Sequence, residues 1–169
     1  KLSIAAACFS IYAFEKLKNE LNDIDELRFI FTSPTFVKEK VRREKREFYI
    51  PRLSREKSIY GTEFEVKLRN ELTQKAIAKE CAEWIKQKVQ FRSNITDGNI
   101  ASLLDINNGN YGYSYTPVSE FTTAGLGVER GNNIVNNVIK FTHTESKQLI
   151  ASFESIWNDK NIVQDVKDE

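Results

Sequence analysis

The chain has 169 residues, of which 40% are hydrophobic and 29% are charged, and its formal net charge at pH 7 is +1. This length corresponds to about one domain, and the apolar content, with only seven Gly and three Pro, excludes a disordered or fibrous protein. The small net charge gives no general argument for nucleic acid or membrane binding. We therefore expect one globular domain spanning residues 1–169.

The sequence shows no sign of a membrane or secreted protein. Its apolar runs are much shorter than the roughly 20 residues that cross a bilayer, and no signal-peptide pattern opens it. Cys8 and Cys81 are isolated, which favours two small buried side chains over a disulfide or a zinc site. Because the sequence contains no Met, we expect a part excised from a longer, cytoplasmic protein.

The first third predicts a strand, a helix and a second strand. Residues 3–8 are short and almost continuously apolar, which is typical of a strand buried on both faces. Ser10 can cap the helix that follows. The apolar face of that helix consists of Ala13, Leu17, Leu21 and Ile24. Residues 27–32 form the second strand, so that this unit has the local signature of a parallel α/β sheet.

A basic stretch follows, with nine Lys or Arg against four Glu between residues 38 and 57. It can contact phosphate groups, attract the acidic residues 154–169, or form a solvated surface with ion pairs inside a helix. The candidates for polyanion contact are Arg42, Arg43, Lys45, Arg46, Arg52 and Arg55.

The middle of the chain predicts a helix, a strand and a hairpin. A capping box at residues 62–65 opens a helix that reaches about Lys88, and residues 89–93 form the next strand. Strands at 101–106 and 111–116 flank Asn-Asn-Gly-Asn, which supplies a hairpin turn. The alternating Tyr111, Tyr113 and Tyr115 share one face, where packing against a helix is a more frequent role for aromatic residues than stacking on bases.

The last third predicts an apolar strand at residues 134–141 and a helix opened by a capping box at residues 142–145. The core-facing stripe of this helix consists of Leu149, Ile150, Phe153, Ile156 and Trp157. Asn158 and Asp159 end the helix. The fold class that these elements predict is α/β, with a mixed, mainly buried β-sheet flanked by helices on both faces.

Several stretches resemble phospholipase D-like domains. Residues 7–21 and 27–36 resemble the first strand, helix and second strand of that superfamily, and residues 121–157 resemble its later segment, with an F-T-x-x-G-L turn and a helix ending in F-x-x-x-W. Residues 48–94 are similar to the version found at the amino terminus of bacterial Swi/Snf-type helicases. Together these stretches cover most of the chain.

The resemblance implies a catalytic His-x-Lys pair with a downstream acid and Asn, in which histidine attacks phosphorus and Lys and Asn hold the phosphoryl oxygens. Residues 102–106 read Ser-Leu-Leu-Asp-Ile where that pair is expected, and residues 117–120 read Pro-Val-Ser-Glu in place of Gly-Ser-x-Asn. The only histidine, His143, is followed two residues later by Glu145 rather than Lys. We therefore expect a degenerate member with no catalytic residues.

Three function hypotheses follow from the resemblance. The first is a non-catalytic DNA-binding or assembly module of a bacterial helicase-like ATPase, whose ATP and Mg belong to helicase domains elsewhere in the same chain. The second is a phosphodiesterase or nuclease completed by a partner chain or by the rest of the parent protein. The third is a structural homodimerisation domain.

Other candidate residues have ordinary structural explanations. His143 lies in the first turn of a predicted helix, where the positive end of the dipole disfavours a catalytic cation. The Gly125-Leu126-Gly127 segment predicts a turn with a positive φ rather than a phosphate loop. The spacing of Asp105 and Glu120 does not require a metal.

Overall fold

A computed structural model describes residues 1–34, 71–130 and 137–167 of the chain. The strands in these residues are β1 (Leu2–Ala6), β2 (Leu27–Phe31), β3 (Val89–Asn94), β4 (Leu103–Asn107), β5 (Gly112–Thr116), β6 (Ile139–Phe141) and β7 (Val163–Asp165). The helices in the same residues are α1 (Ile11–Lys16), α2 (Lys18–Asn22), α3 (Glu71–Lys88) and α4 (His143–Asn158).

The seven strands form one mixed sheet in the order β6-β5-β4-β1-β2-β3-β7. Strands β1, β2 and β3 are parallel neighbours, and every other pair in the sheet is antiparallel. The predicted strand-helix-strand unit is confirmed, because β1 pairs in parallel with β2 and every residue of β1 is buried. The hairpin is confirmed too, with Gly109 at a φ of 92° in the turn between β4 and β5.

The predicted first helix is interrupted. Ser10 caps it as expected, since its hydroxyl oxygen accepts from the backbone N–H of Tyr12 at 3.1 Å. At Leu17 the backbone leaves the helical conformation, with φ of −106° and ψ of 17°, and a second short helix begins. Ala13 in the first of these helices and Leu21 in the second are both buried. The predicted apolar face is therefore present, although two short helices carry it instead of one.

Helices cover both faces of the sheet, as the sequence predicts. On one face, side chains of α1, α2 and α3, among them Phe14, Leu21 and Trp84, pack on the even-numbered residues of β1 and on Phe29 of β2. On the other face, Phe153 and Trp157 of α4 pack on alternate residues of the same strands. Cys8 and Cys81 are buried and form no disulfide with each other, which confirms their prediction as small core side chains.

The carboxyl-terminal third departs from the predicted elements. The strand expected at residues 134–141 is only three residues long where it is described, and Ile139 on this sheet edge is 58% exposed. Strand β7 at the opposite edge is missing from the prediction, because three residues with one buried apolar position give no periodic signal. The capping box of α4 is confirmed, since the backbone N–H of Thr142 donates to Glu145 at 3.0 Å.

Some predictions fall on residues that the structure does not describe. The capping box at residues 62–65, the start of the helix that becomes α3, and the whole basic stretch lie outside the described residues. The end of α3 at Lys88 and the strand that follows agree with the prediction. Within the described part of the chain, each helix is too short or too polar to span a bilayer.

Candidate functional site

The region in which the resembled superfamily would carry its catalytic pair lies at the centre of the sheet, on β4. Four polar side chains form a row across the strands here, because Ser114 pairs with Asp105, Asp105 with Ser3, and Ser3 with Arg28. The row faces helix α4, and Glu154 of this helix accepts a hydrogen bond from Arg28 in the row. We call this row, together with Glu154, the polar row.

An ion pair closes one end of the polar row. Arg28 donates to both carboxylate oxygens of Glu154, at 2.8 Å from Nη1 and at a shorter distance from Nη2, and Nη2 also donates to Ser3 at 3.1 Å. The Arg28 side chain is 11% exposed and that of Glu154 is 42% exposed. The bond from Arg28 lowers the pKa of Glu154, and the same bond raises the pKa of Arg28.

Aromatic rings of α4 hold the two arginines of the neighbouring strands. The guanidinium carbon of Arg28 lies 5.3 Å from the ring centroid of Phe153 and 5.5 Å from that of Trp157. The guanidinium carbon of Arg92 on β3 lies 4.3 Å from the Trp157 ring, and Arg92 also donates to the backbone carbonyl of Trp157. These cation–π contacts fix α4 over β2 and β3.

Asp105 occupies the middle of the polar row and is almost completely buried, at 2% exposure. Its Oδ1 accepts from the hydroxyl of Ser114, and its Oδ2 has no hydrogen-bond partner among the described residues. Burial raises the pKa of Asp105, while the Ser114 bond and the charge of Arg28 act in the opposite direction. The row therefore contributes to the packing of α4, and its members Ser3, Asp105 and Ser114 are too buried for a substrate to reach.

His143 is held in a structural contact. Its Nδ1 accepts from the backbone N–H of Gly112 at 3.0 Å, and its ring lies 5.5 Å from the ring of Tyr111 in an edge-to-face arrangement. Next to it in sequence, Thr142 is the N-cap of α4. The predicted place of His143 in the first turn of this helix is thus confirmed.

The opposite side of β4, β5 and β6 carries a second group of side chains. Their register places Tyr113 beside Ile106 and Tyr115 beside Lys140. The Lys140 ammonium lies 4.7 Å from the ring centroid of Tyr113 and 5.9 Å from that of Tyr115. We call this group, Ile106, Tyr113, Tyr115 and Lys140, the tyrosine face.

The predicted packing of the three tyrosines against a helix is wrong for Tyr113, whereas Tyr111, which precedes β5, contacts α4 through the ring of His143. Helix α4 lies on the other side of β5, where it contacts the alternate residues: a Cβ added to Gly112 would lie 2.6 Å from Ile150, and Ser114 N–H donates to Ser146 at 2.8 Å. Tyr113 is instead 38% exposed, and the side chain that lies over its ring is Lys140.

The remaining sequence candidates fall partly inside and partly outside the described residues. Arg42, Arg43, Lys45, Arg46, Arg52 and Arg55 lie outside the described residues. Gly127 has the predicted positive φ, at 71°, in a turn. Asp105 lies in the polar row, and no group of three or more His, Cys, Asp or Glu side chains in the described ranges is arranged to hold a metal ion.

Sequence reasoning missed Arg28, Glu154 and Lys140. Arg28 and Glu154 are 126 residues apart in the chain, and no local pattern reports such a pairing. The one available signal was an arginine inside an otherwise apolar strand, which requires a partner when it is buried. No protein-family model matches the chain, and no curated protein is significantly similar to it.

Proposed function

We propose that this chain is a catalytically silent phospholipase D-like domain that serves as a DNA-binding or assembly module of a bacterial helicase-like ATPase. The absence of catalysis rests on one observation: the only histidine of the chain accepts a backbone hydrogen bond from Gly112 in a capping turn. A phosphohistidine mechanism needs the lone pair of a ring nitrogen as its nucleophile, and at His143 the Nδ1 lone pair is engaged by the N–H of Gly112.

The residues on β4 agree with this proposal. Leu103 and Asp105 occupy the side of β4 that faces α4, and both are buried. Leu103 has no nucleophilic atom, and Asp105, at 2% exposure, is too buried to reach a phosphodiester. A carboxylate at this position also repels the phosphate that a lysine would hold. Hydrolysis of a simple phosphodiester such as bis(p-nitrophenyl) phosphate should therefore equal the blank; measurable turnover would overturn the silent assignment in favour of a phosphodiesterase.

The DNA-binding part of the proposal rests on the local charge of the basic stretch, which carries nine Lys or Arg against four Glu. Each lysine or arginine that neutralises a phosphate releases a counterion, so binding weakens as the salt concentration rises. We assign the contact to Arg42, Arg43, Lys45, Arg46, Arg52 and Arg55.

The triple variant Arg42→Glu, Arg43→Glu, Lys45→Glu tests this assignment by fluorescence anisotropy with a labelled duplex and a labelled single strand. Its affinity should fall more than tenfold, and the salt dependence should become shallower by roughly three counterions. A matched control is Lys75→Glu, Lys79→Glu, Lys86→Glu, which makes the same charge change at three exposed positions of α3. Equal losses in the two variants would contradict a local site.

The assembly part of the proposal rests on the edge of the sheet formed by β6. Among the described strands β6 is the last of the sheet, and Val138 and Ile139 at this edge are 44% and 58% exposed. An open strand edge with apolar side chains is a template for pairing with another chain. Sedimentation over a hundredfold range of concentration should then show a dimer that Ile139→Lys dissociates; a monomer at every concentration would remove this part of the proposal.

A further inference from the structure

We propose that the tyrosine face binds single-stranded nucleic acid, with bases stacked on Tyr113 and Tyr115 and a backbone phosphate held by Lys140. The inference rests on the proposed function, because it names the form of nucleic acid and the surface that receives it. It is independent of the basic stretch, since it uses only residues of β4, β5 and β6.

At two cross-strand pairs of β4 and β5, the exposed and buried positions are the reverse of those expected from hydrophobic burial. Asp105 and Ser114 are 2% and 0% exposed, whereas Ile106 and Tyr113 on the other side of the same strands are 47% and 38% exposed. A buried polar pair behind an exposed apolar pair is costly for an isolated domain. Exposed apolar patches of this kind mark interaction surfaces.

The spacing of the two rings suits unstacked bases. Tyr113 and Tyr115 are alternate residues of one strand, so their side chains leave the same side of the sheet about 7 Å apart. That is about twice the 3.4 Å rise of a stacked DNA strand. Each ring can therefore receive its own base from an extended single strand, whereas duplex bases present no free π-face.

The charge of the face selects an anion. Lys140 is its only charged residue, and the only carboxylate in β4, β5 and β6 belongs to Asp105, on the opposite side of the sheet. Among the described residues Lys140 forms no ion pair and rests over the two rings instead. A phosphate attracts this ammonium and draws it away from the Tyr113 ring, which uncovers the surface that a base requires.

The same charge argues against a second copy of the chain as the occupant. A twofold interface places the same surface patch on both partners. Two tyrosine faces packed together would bury two lysines with no carboxylate between them, and an unpaired buried charge is strongly unfavourable. A nucleic acid strand supplies the missing negative charge.

The test measures binding of the 169-residue chain to a fluorescein-labelled dT20 oligonucleotide by anisotropy. The variant Tyr113→Ala, Tyr115→Ala should lose on the order of tenfold in affinity for each ring removed, because stacking is lost. The matched variant Tyr113→Phe, Tyr115→Phe keeps both rings and should bind within about twofold of wild type. Lys140→Gln should reduce the slope of log affinity against log salt by about one counterion.

The outcomes separate this inference from the proposed function. If the double alanine variant binds dT20 as tightly as wild type while the charge-reversal variant of the basic stretch does not, the inference falls and the proposed function stands. If the wild-type chain binds duplex DNA but not dT20, the inference likewise falls and the proposed function stands. If wild type binds no DNA at low salt and the alanine variant dissociates a dimer in sedimentation, the face is an interface between copies, which overturns both the inference and the DNA-binding part of the proposal.

Discussion

The two sides of the β4–β5 hairpin differ in what covers them. On one side, α4 seals Asp105 and Ser114 from water, and its own Glu154 reaches the buried Arg28. On the other side, Ile106 and Tyr113 remain half exposed with Lys140 as the nearest charge. At these two cross-strand pairs the hairpin therefore buries the polar residues and exposes the apolar ones.

This difference teaches that burial does not identify the functional side of the sheet here. The covered side has the charged groups Arg28, Asp105 and Glu154, and the bond between Arg28 and Glu154 joins β2 to α4. The open side has two tyrosines, an isoleucine and a lysine, which is a set suited to contact with a partner. We therefore expect substitutions on the covered side to change stability, and we propose the open side as the recognition surface.

The largest expected loss of stability comes from truncating a side chain of α4 that covers the sheet. Phe153 is 2% exposed, stacks on Trp157 at a centroid distance of 5.8 Å and packs on β1 and β2. Phe153→Ala should lower the free energy of unfolding by about 3–5 kcal/mol, because it opens a cavity in the core. Urea denaturation measures the change, and Tyr113→Thr on the open side serves as the control, with an expected loss below about 1 kcal/mol.

A smaller effect is expected from breaking the ion pair of the polar row. Glu154→Gln leaves the Arg28 guanidinium, which is 11% exposed, without a carboxylate, and should cost about 1–3 kcal/mol in the free energy of unfolding. The control Glu83→Gln makes the same chemical change at an exposed position of α3 and should cost less than about 0.5 kcal/mol. Equal losses would mean that the buried arginine does not depend on Glu154.

The dependence of stability on pH distinguishes the two acids of the polar row. Because burial raises the pKa of Asp105 in the folded protein, its contribution is complete below the unfolded pKa of about 3.8 and is lost as the pH rises through the folded pKa. Glu154 behaves oppositely: its lowered pKa contributes stability above about 4.5 that is lost as the pH falls.

In Asp105→Asn, the unfolding free energy should therefore decline less between pH 4 and pH 7 than in wild type. In Glu154→Gln, the rise in unfolding free energy between acidic pH and pH 5 should be smaller. Urea titrations at each pH provide both slopes. Parallel curves for Asp105→Asn and wild type would show that the carboxyl group titrates alike in the folded and unfolded chains.

The smallest effect on stability is expected on the open side. Lys140→Gln removes a cation that is exposed and rests on two rings, so the unfolding free energy should change by no more than about 0.5 kcal/mol. Thermal unfolding followed by circular dichroism checks this. A loss above about 2 kcal/mol would mean that the lysine is a structural residue and would remove it from the recognition surface.

Local chemistry in the sequence determined much of the fold. The apolar run that becomes β1, the Ser10 cap, the Asn-Gly turn and the capping box at Thr142 each act within a few residues, so they are readable without the fold. The break at Leu17 and strand β7 were not readable in this way. Strand β7 depends on residues distant in the chain, because its three residues pair with β3, and no residue pattern around Leu17 marks the break.

For the candidate site, the sequence determined that Tyr113 and Tyr115 share a side and that Asp105 and Ile106 do not, because side chains alternate along a strand. Only the tertiary structure decided which side is covered. The covered side is the one against which α4 packs. The position of α4 depends on contacts such as that of Arg28 with Glu154, which joins residues 126 apart in the chain. A period of two fixes the alternation of a strand but carries no information about the layer packed against it.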